Sequence, residues 1–290
     1  MKILVIGANG QLGKDVCKQL KSQNIETITS DINGEVDFNL DFTNEEKTIE
    51  LVKIVNPDAI INCAAWTAVD AAEEEDNKEK VYALNVIGVS NLVKASKEID
   101  CKLMHISTDY VFDGQGETPW KPDDKNYAPL SYYGKTKLEG ELQVAKLDKY
   151  FIVRIAWLFG GPISFVNTML KIGKTHDELK VVNDQIGTPT YSKDLAVLLV
   201  DMIQTEKYGY YHATNEGGYI SWYEFALEIF KQANMPVKVI PVSTKEYGLS
   251  KAIRPFNSRL DKTKLSDNGF TRLPDWKDAL NRYLKSFKVE

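Results

Sequence analysis

The stretch Met1-Lys2-Ile3-Leu4-Val5-Ile6-Gly7-Ala8-Asn9-Gly10-Gln11-Leu12-Gly13 decides how the rest of the chain is read. Ile3 to Ile6 is an unbroken aliphatic run, the pattern of a strand buried on both faces. Gly7, Gly10 and Gly13 follow at once, and from Gln11 to Gln23 the residues Leu12, Val16, Cys17 and Leu20 recur at helical spacing. A strand that turns through glycines into a helix offers backbone N–H groups and the positive end of a helix dipole to an anion. The last glycine lets helix and strand pack closely. A plain strand–helix turn also favours glycine, but this position after a buried N-terminal strand reads as a dinucleotide pyrophosphate site.

Outward from that turn, strand and helix alternate. Strands are predicted at Ile25–Thr29, Ala59–Cys63, Leu103–Ser107 and Tyr150–Ala156. Helices are predicted after Thr43-Asn44-Glu45-Glu46, which has the form of a capping box, then from Lys80 to Ile99 and from Tyr133 to Leu147. Strict alternation with short loops means an α/β fold, a Rossmann-like doubly wound parallel sheet. Beyond Trp157 the alternation loosens. Helices are predicted at Ser164–Gly173, Lys193–Thr205, Ser221–Ala233 and Asp275–Phe287, with short strands at Lys180–Val182, Tyr210–Ala213 and Val237–Pro241. The expected organisation is a dinucleotide-binding domain over 1–157 and a smaller C-terminal α/β substrate lobe over 158–290, with chain crossing between them.

Composition narrows the class. With 43% hydrophobic and 27% charged residues in 290, the chain has the usage of a globular protein. Its 36 basic and 41 acidic residues give a net charge of -5, which argues against a nucleic-acid partner. No apolar run approaches ~18 residues, so no membrane span is expected, and the apolar start is too short for a signal peptide. Cys17, Cys63 and Cys101 have neither metal-site spacing nor an even disulfide count. The expectation is a reduced, cytoplasmic protein.

Four further positions carry chemistry. Asp31 ends the second strand, 18 residues after Gly13, where a carboxylate can accept from both adenosine ribose hydroxyls and favour NADH. It also reads as a turn aspartate leading to Asn33-Gly34. Tyr133 and Lys137 share one face of a helix. A fixed ammonium beside a phenol favours phenolate and lowers its pKa, so the phenol can protonate an alkoxide as hydride reaches a carbonyl carbon. The alternative is a solvated helix pair. Thr108, in Ser107-Thr108-Asp109-Tyr110 at the C-terminal edge of the sheet, can orient the substrate oxygen toward Tyr133 or simply cap the next turn. Glycine turn, hydroxyl and Tyr/Lys pair together point to a nicotinamide-dependent enzyme.

With these residues in view, the chain resembles extended short-chain dehydrogenases/reductases, and among them dTDP-4-dehydrorhamnose reductases. The superfamily match is Gly7 to Gly13; more specific are Asn62-Cys63-Ala64-Ala65-Trp66-Thr67-Ala68-Val69-Asp70, Asn85-Val86-Ile87-Gly88, Ser107 to Gly114 and Tyr133 to Glu141. The second half adds Asp184-Gln185-Ile186-Gly187-Thr188-Pro189-Thr190 and Arg254 to Asp261. The resemblance implies reduction of a 4-keto dTDP-sugar to dTDP-L-rhamnose with NADH or NADPH, with Tyr133 as proton donor, Lys137 on the nicotinamide ribose and Thr108 completing the triad. It further implies that Gly7, Gly10, Gln11, Leu12, Asp31, Asp41, Phe42, Ala64, Ala65 and Trp66 hold the cofactor. Thr67, Val69, Thr108, Asp109, Tyr110 and Trp157 would line the substrate side, with Gln185 and Arg254 toward the nucleotide diphosphate. Ala156, Ser164 and Trp66 depart from the family pattern. Some members carry magnesium at a dimer contact; no ligands for it are assigned here, and a homodimer is a possible assembly.

His105, inside a predicted strand, reads as a core or ribose-adjacent histidine. Glu73-Glu74-Glu75-Asp76 reads as a solvated helix start. Two other functions fit part of the pattern: a nucleotide-sugar epimerase or dehydratase of the same superfamily, which needs further acid/base groups, and a non-catalytic dinucleotide-binding regulatory subunit, which would not need Tyr133 and Lys137.

Overall fold

The computed structural model describes residues 1–286. The first half builds β1 (Lys2–Ile6), α1 (Gln11–Ser22), β2 (Glu26–Asp31), β3 (Phe38–Asn39), α2 (Glu45–Val55), β4 (Ala59–Asn62), α3 (Glu75–Tyr82), α4 (Gly88–Ile99), β5 (Lys102–Thr108), α5 (Tyr132–Val144) and β6 (Tyr150–Ile155). The sheet runs, edge to edge, from the strand Gly209–His212 through β6, β5, β4, β1 and β2 to β3, and every pairing in it is parallel. Strand order reverses between β1 and β4, and their C-terminal ends open the crevice in which open α/β sheets bind ligands.

Alternate residues of each strand feed opposite cores. Ile3 and Val5 pack with Val16 and Leu20 of α1 on one face; Leu4 and Ile6 pack with Leu51, Val52, Leu92 and Val144 on the other. All four β1 side chains are almost wholly buried, as their apolar run requires. Glu75 and Asp76 lie in the first turn of α3, where acid groups suit the dipole.

Three local readings are corrected. The cap of α2 is Asn44, whose side chain accepts from the Lys47 N–H, while the Thr43 hydroxyl donates to Asp41. The helix expected from Lys80 begins at Glu75 and is interrupted by a π-turn over 83–87, which carries the buried Asn85. The strand near Tyr210 belongs to the main sheet, pairing with β6, and α7 (Ser192–Ile203) lies on α1. The chain thus leaves the sheet after β6 and returns to complete it.

Many of the remaining residues pack around a core of their own, while Leu265, Phe270 and Leu273 join the core of the main sheet. Here α6 (Phe165–Gly173) and α8 (Trp222–Gln232) pack with the helix Trp276–Ser286 around Phe159, Phe225 and Trp276. The strands Glu178–Val182 and Lys238–Val242 pair in parallel beside them. Phe287, the expected end of the last helix, lies outside the described residues.

Candidate active site

The glycine turn is built as its sequence requires. Gly7 has φ +77°, and a Cβ on it would lie 2.7 Å from the Ala64 nitrogen. Only glycine lets the two backbones meet this closely. Its N–H and that of Ala8 donate to the Ser30 carbonyl, tying the turn to the end of β2. The Asp31 carboxylate accepts from the Asn9 N–H at 2.9 Å and the Ile32 N–H at 2.7 Å.

Gly7, Gly10, Asp31, Asp41, Phe42, Ala64 and Ala65 border one cleft of about 300 Å³. Gln11 begins α1, packs on Gly161 and leaves its buried side-chain nitrogen without a partner among the described residues. Leu12 is core, so only its backbone can face a phosphate. The Asp41 carboxylate accepts from Thr43, and Phe42 is buried beneath Gly88. An uncapped helix N-terminus at the mouth of the cleft and an orphaned amide nitrogen beside it together fit a dinucleotide.

Beside this cleft stand the reacting side chains. Ser131 caps α5 through the Gly134 N–H, placing Tyr133, Lys137 and Glu141 on one inward face at successive turns. Thr108 stands beside Tyr133, and its hydroxyl donates to Asp109 at 3.1 Å. Lys137 Nζ lies 2.7 Å from the Ile106 carbonyl and 3.2 Å from His105 Nε2.

Burial dominates the electrostatics. It pushes the Tyr133 phenol up, lowers Lys137 to about 8 and raises Asp109 to about 6. The lowering of the phenol by its lysine neighbour, expected from the sequence, is not found in the cofactor-free protein. Lys137 is committed to β5 instead, and burial holds Tyr133 in its protonated form at neutral pH.

Tyr133 connects to a second cleft. The Tyr110 ring meets Tyr133 edge-on at 5.5 Å, and the Tyr110 hydroxyl accepts from Arg254 at 3.2 Å. Arg254 also pairs with Asp70, and both border a cleft of about 320 Å³ with Gln185, Lys180, Phe165 and Trp222. Trp157 adopts φ +50°, a conformation rare for a bulky residue, and stacks on Trp222 at 3.7 Å. Gly187 is the residue that admits the Trp157 ring, since a Cβ there would lie 2.9 Å from it.

A family profile, RmlD substrate binding domain, matches residues 1–289. A dTDP-4-dehydrorhamnose reductase of Aggregatibacter actinomycetemcomitans is 39% identical over 96% of this chain and 97% of its own length. The chain belongs to the dTDP-4-dehydrorhamnose reductase family. A crystal structure of such a reductase from Clostridium acetobutylicum superposes with TM-score 0.93 at 44% identity, covering 99% of both chains. Another, from Bacillus anthracis in complex with NADP, does so with TM-score 0.91 at 41% identity, over 99% of this chain and 100% of that one. The chain is accordingly an NAD(P)-dependent oxidoreductase.

The other residues that the family pattern suggested make local contacts. Thr67 is exposed, and the Trp66 ring nitrogen donates to the Ala68 carbonyl. Val69 packs with Tyr110 and Tyr133. Gln185 donates to Thr244. Ser164, a departure from the family pattern, caps α6. Among the described residues no three His, Cys, Asp or Glu side chains converge as a metal-ligand group.

Asp70, Trp222, Phe165 and Lys180 are absent from the residues selected by sequence reasoning. They come from segments far apart in the chain, with no shared spacing to join them. Asn85 is a different case: its motif was visible, but its contacts, to the Trp66 N–H and Thr136 hydroxyl, depend on the π-turn.

Proposed function

We propose that this chain reduces the 4-keto group of dTDP-4-dehydrorhamnose to give dTDP-L-rhamnose. What carries the reading is the buried face of α5, which sets Tyr133 and Lys137 one turn apart with Thr108 of β5 beside the phenol. A reduced nicotinamide supplies hydride to the carbonyl carbon. Thr108 and Tyr133 grip the carbonyl oxygen, and Tyr133 gives up its proton as negative charge develops there. A phenol kept protonated by burial is in the donor form throughout the neutral range. Lys137, one turn on, holds the nicotinamide ribose and faces the phenolate that proton transfer leaves. Asp109 and Tyr110 orient the sugar, Trp157 and Trp222 flank the nucleotide side, and Arg254 with Lys180 supplies positive charge toward the diphosphate.

NADH is the favoured cofactor. Asp31 sits on the rim of its cleft with its carboxylate oriented by two backbone N–H groups, and no Lys or Arg lies between Lys21 and Lys47 to receive a 2′-phosphate. The same reading makes the protein a cytoplasmic enzyme, assembled as a homodimer, with neither nucleic acid nor membrane as partner. In its support, the net charge is -5, and no described helix is long and apolar enough to cross a membrane. The test is NADH oxidation with the 4-keto-6-deoxy dTDP-sugar. Turnover that requires the sugar supports the assignment; no oxidation by a folded, NADH-binding protein refutes it.

A further inference from the structure

Behind Lys137 lies a chain of buried polar groups whose donors and acceptors can be counted. Asn62 at the end of β4, His105 on β5 and Lys137 on α5 are each no more than 2% exposed. The Ala64 N–H donates to Asn62 Oδ1 at 3.0 Å, which fixes the amide: its oxygen faces the backbone and its NH₂ faces His105 Nδ1 at 3.2 Å. An amide NH₂ can only donate, so Nδ1 is the acceptor. A neutral imidazole then carries its single proton on Nε2, which points at Lys137 Nζ from 3.2 Å. An ammonium also only donates. Two donors would face each other unless Nζ is an amine, accepting from His105 Nε2–H while donating to the Ile106 carbonyl.

We infer that His105, its tautomer set by Asn62 and the Ala64 N–H, is a positioning residue that favours the neutral amine of Lys137 over its ammonium. Burial acts in the same sense, lowering Lys137 to about 8 and His105 well below its ordinary value. Glu141, a turn along α5, opposes by favouring the ammonium, but it is committed to Arg154 of β6. Other charged and titratable groups on the elements around α5 bear on different positions. Glu73 and Lys78 face Tyr132, Tyr82 faces Glu139, and Asp109 and Tyr110 face Tyr133. If Lys137 takes the ribose as proposed above, leaving His105 and charging to do so, cofactor binding consumes a proton.

The direct test is nitrogen NMR on the cofactor-free, ¹⁵N-histidine-labelled protein, whose three histidines can be assigned by single substitution. At pH 8.5 to 9.5, where Lys137 is mostly amine, His105 should be neutral with its proton on Nε2. A proton on Nδ1, or a charged ring, overturns the inference. Asn62→Asp places an acceptor opposite Nδ1 and should invert the tautomer and, with it, diminish the proton uptake on NADH binding; a His105 that does not act on Lys137 would leave that uptake unchanged, and the wild-type spectrum decides the matter if the variant does not fold. Calorimetry of NADH binding in two buffers gives the linked quantity. Proton uptake should be about three-quarters of a proton per site at pH 8.5 and close to zero at pH 6.5, given a midpoint near 8. Binding without uptake at pH 8.5 counts against the inference. No binding at all refutes the dinucleotide reading instead, and the tautomer measurement still decides His105.

Discussion

Replacing Tyr133 with phenylalanine removes one hydroxyl and little else. The ring keeps its edge-on contact with Tyr110 and its packing among Ala72 and Val81. Thr108 retains its bond to the Asp109 carboxylate, so the fold should lose no more than about 1 kcal/mol. The chemical step loses its proton donor. A positioned general acid contributes ~10²–10⁴-fold, so the barrier should rise by about 3–5 kcal/mol. Loss of NADH absorbance at saturating sugar measures kcat, and quenching of protein fluorescence measures cofactor affinity. The expected result is a kcat reduced ~10²–10⁴-fold with a cofactor Kd unchanged within about twofold. A variant that folds, binds NADH and turns over at near wild-type rate would remove Tyr133 as the donor.

The other predictions concern residues around it. Asp31→Ala should shift the NADH/NADPH preference in kcat/KM by ~10-fold toward NADPH, the worth of one charge-assisted contact; an unchanged ratio means that Asp31 does not read the ribose. Arg254→Ala should raise KM for the dTDP-sugar ~10-fold or more while leaving the NADH Kd alone, since Arg254 borders only the second cleft. Arg154→Met strands Glu141 in a fully buried site and should cost about 3–5 kcal/mol by urea denaturation, much of it recovered on adding Glu141→Leu. Asp109 is held up by burial at about 6 against an ordinary ~3.9, so the folded state binds its proton more tightly than the unfolded state does. Its charge therefore costs stability progressively as pH rises from about 4 to 6, and fully above that. Asp109→Asn should raise Tm at pH 7.5, leave it nearly unchanged at pH 4 and impair turnover; equal Tm shifts at both pH values would contradict this.

The sheet was legible because its strands are buried on both faces, which makes Ile3–Ile6 and Ala59–Ile61 unbroken apolar runs. The dinucleotide cleft was legible for a related reason: one local turn, Gly7 to Gly13, carries the geometry. The strand at Gly209–His212 was assigned to the lobe because sequence order does not reveal that the chain returns beside β6. The Arg254 cleft is assembled from four distant segments, and Trp157 at positive φ is held by Trp222 and by the space that Gly187 leaves. Neither is written in any window of sequence. The electrostatics of Tyr133 came out opposite to expectation because helical spacing gives the i, i+4 neighbour but not the depth of burial, nor the Ile106 carbonyl and His105 that engage Lys137 first.

The central claim is that hydride reaches the sugar carbonyl carbon while Tyr133 protonates its oxygen. It is tested most directly by running the reaction with NADH deuterated at the transferred position and locating the label by NMR. Deuterium at C4 of a newly formed dTDP-L-rhamnose is the predicted result. Label retained by the cofactor, or a sugar product with hydrogen at C4, would contradict it.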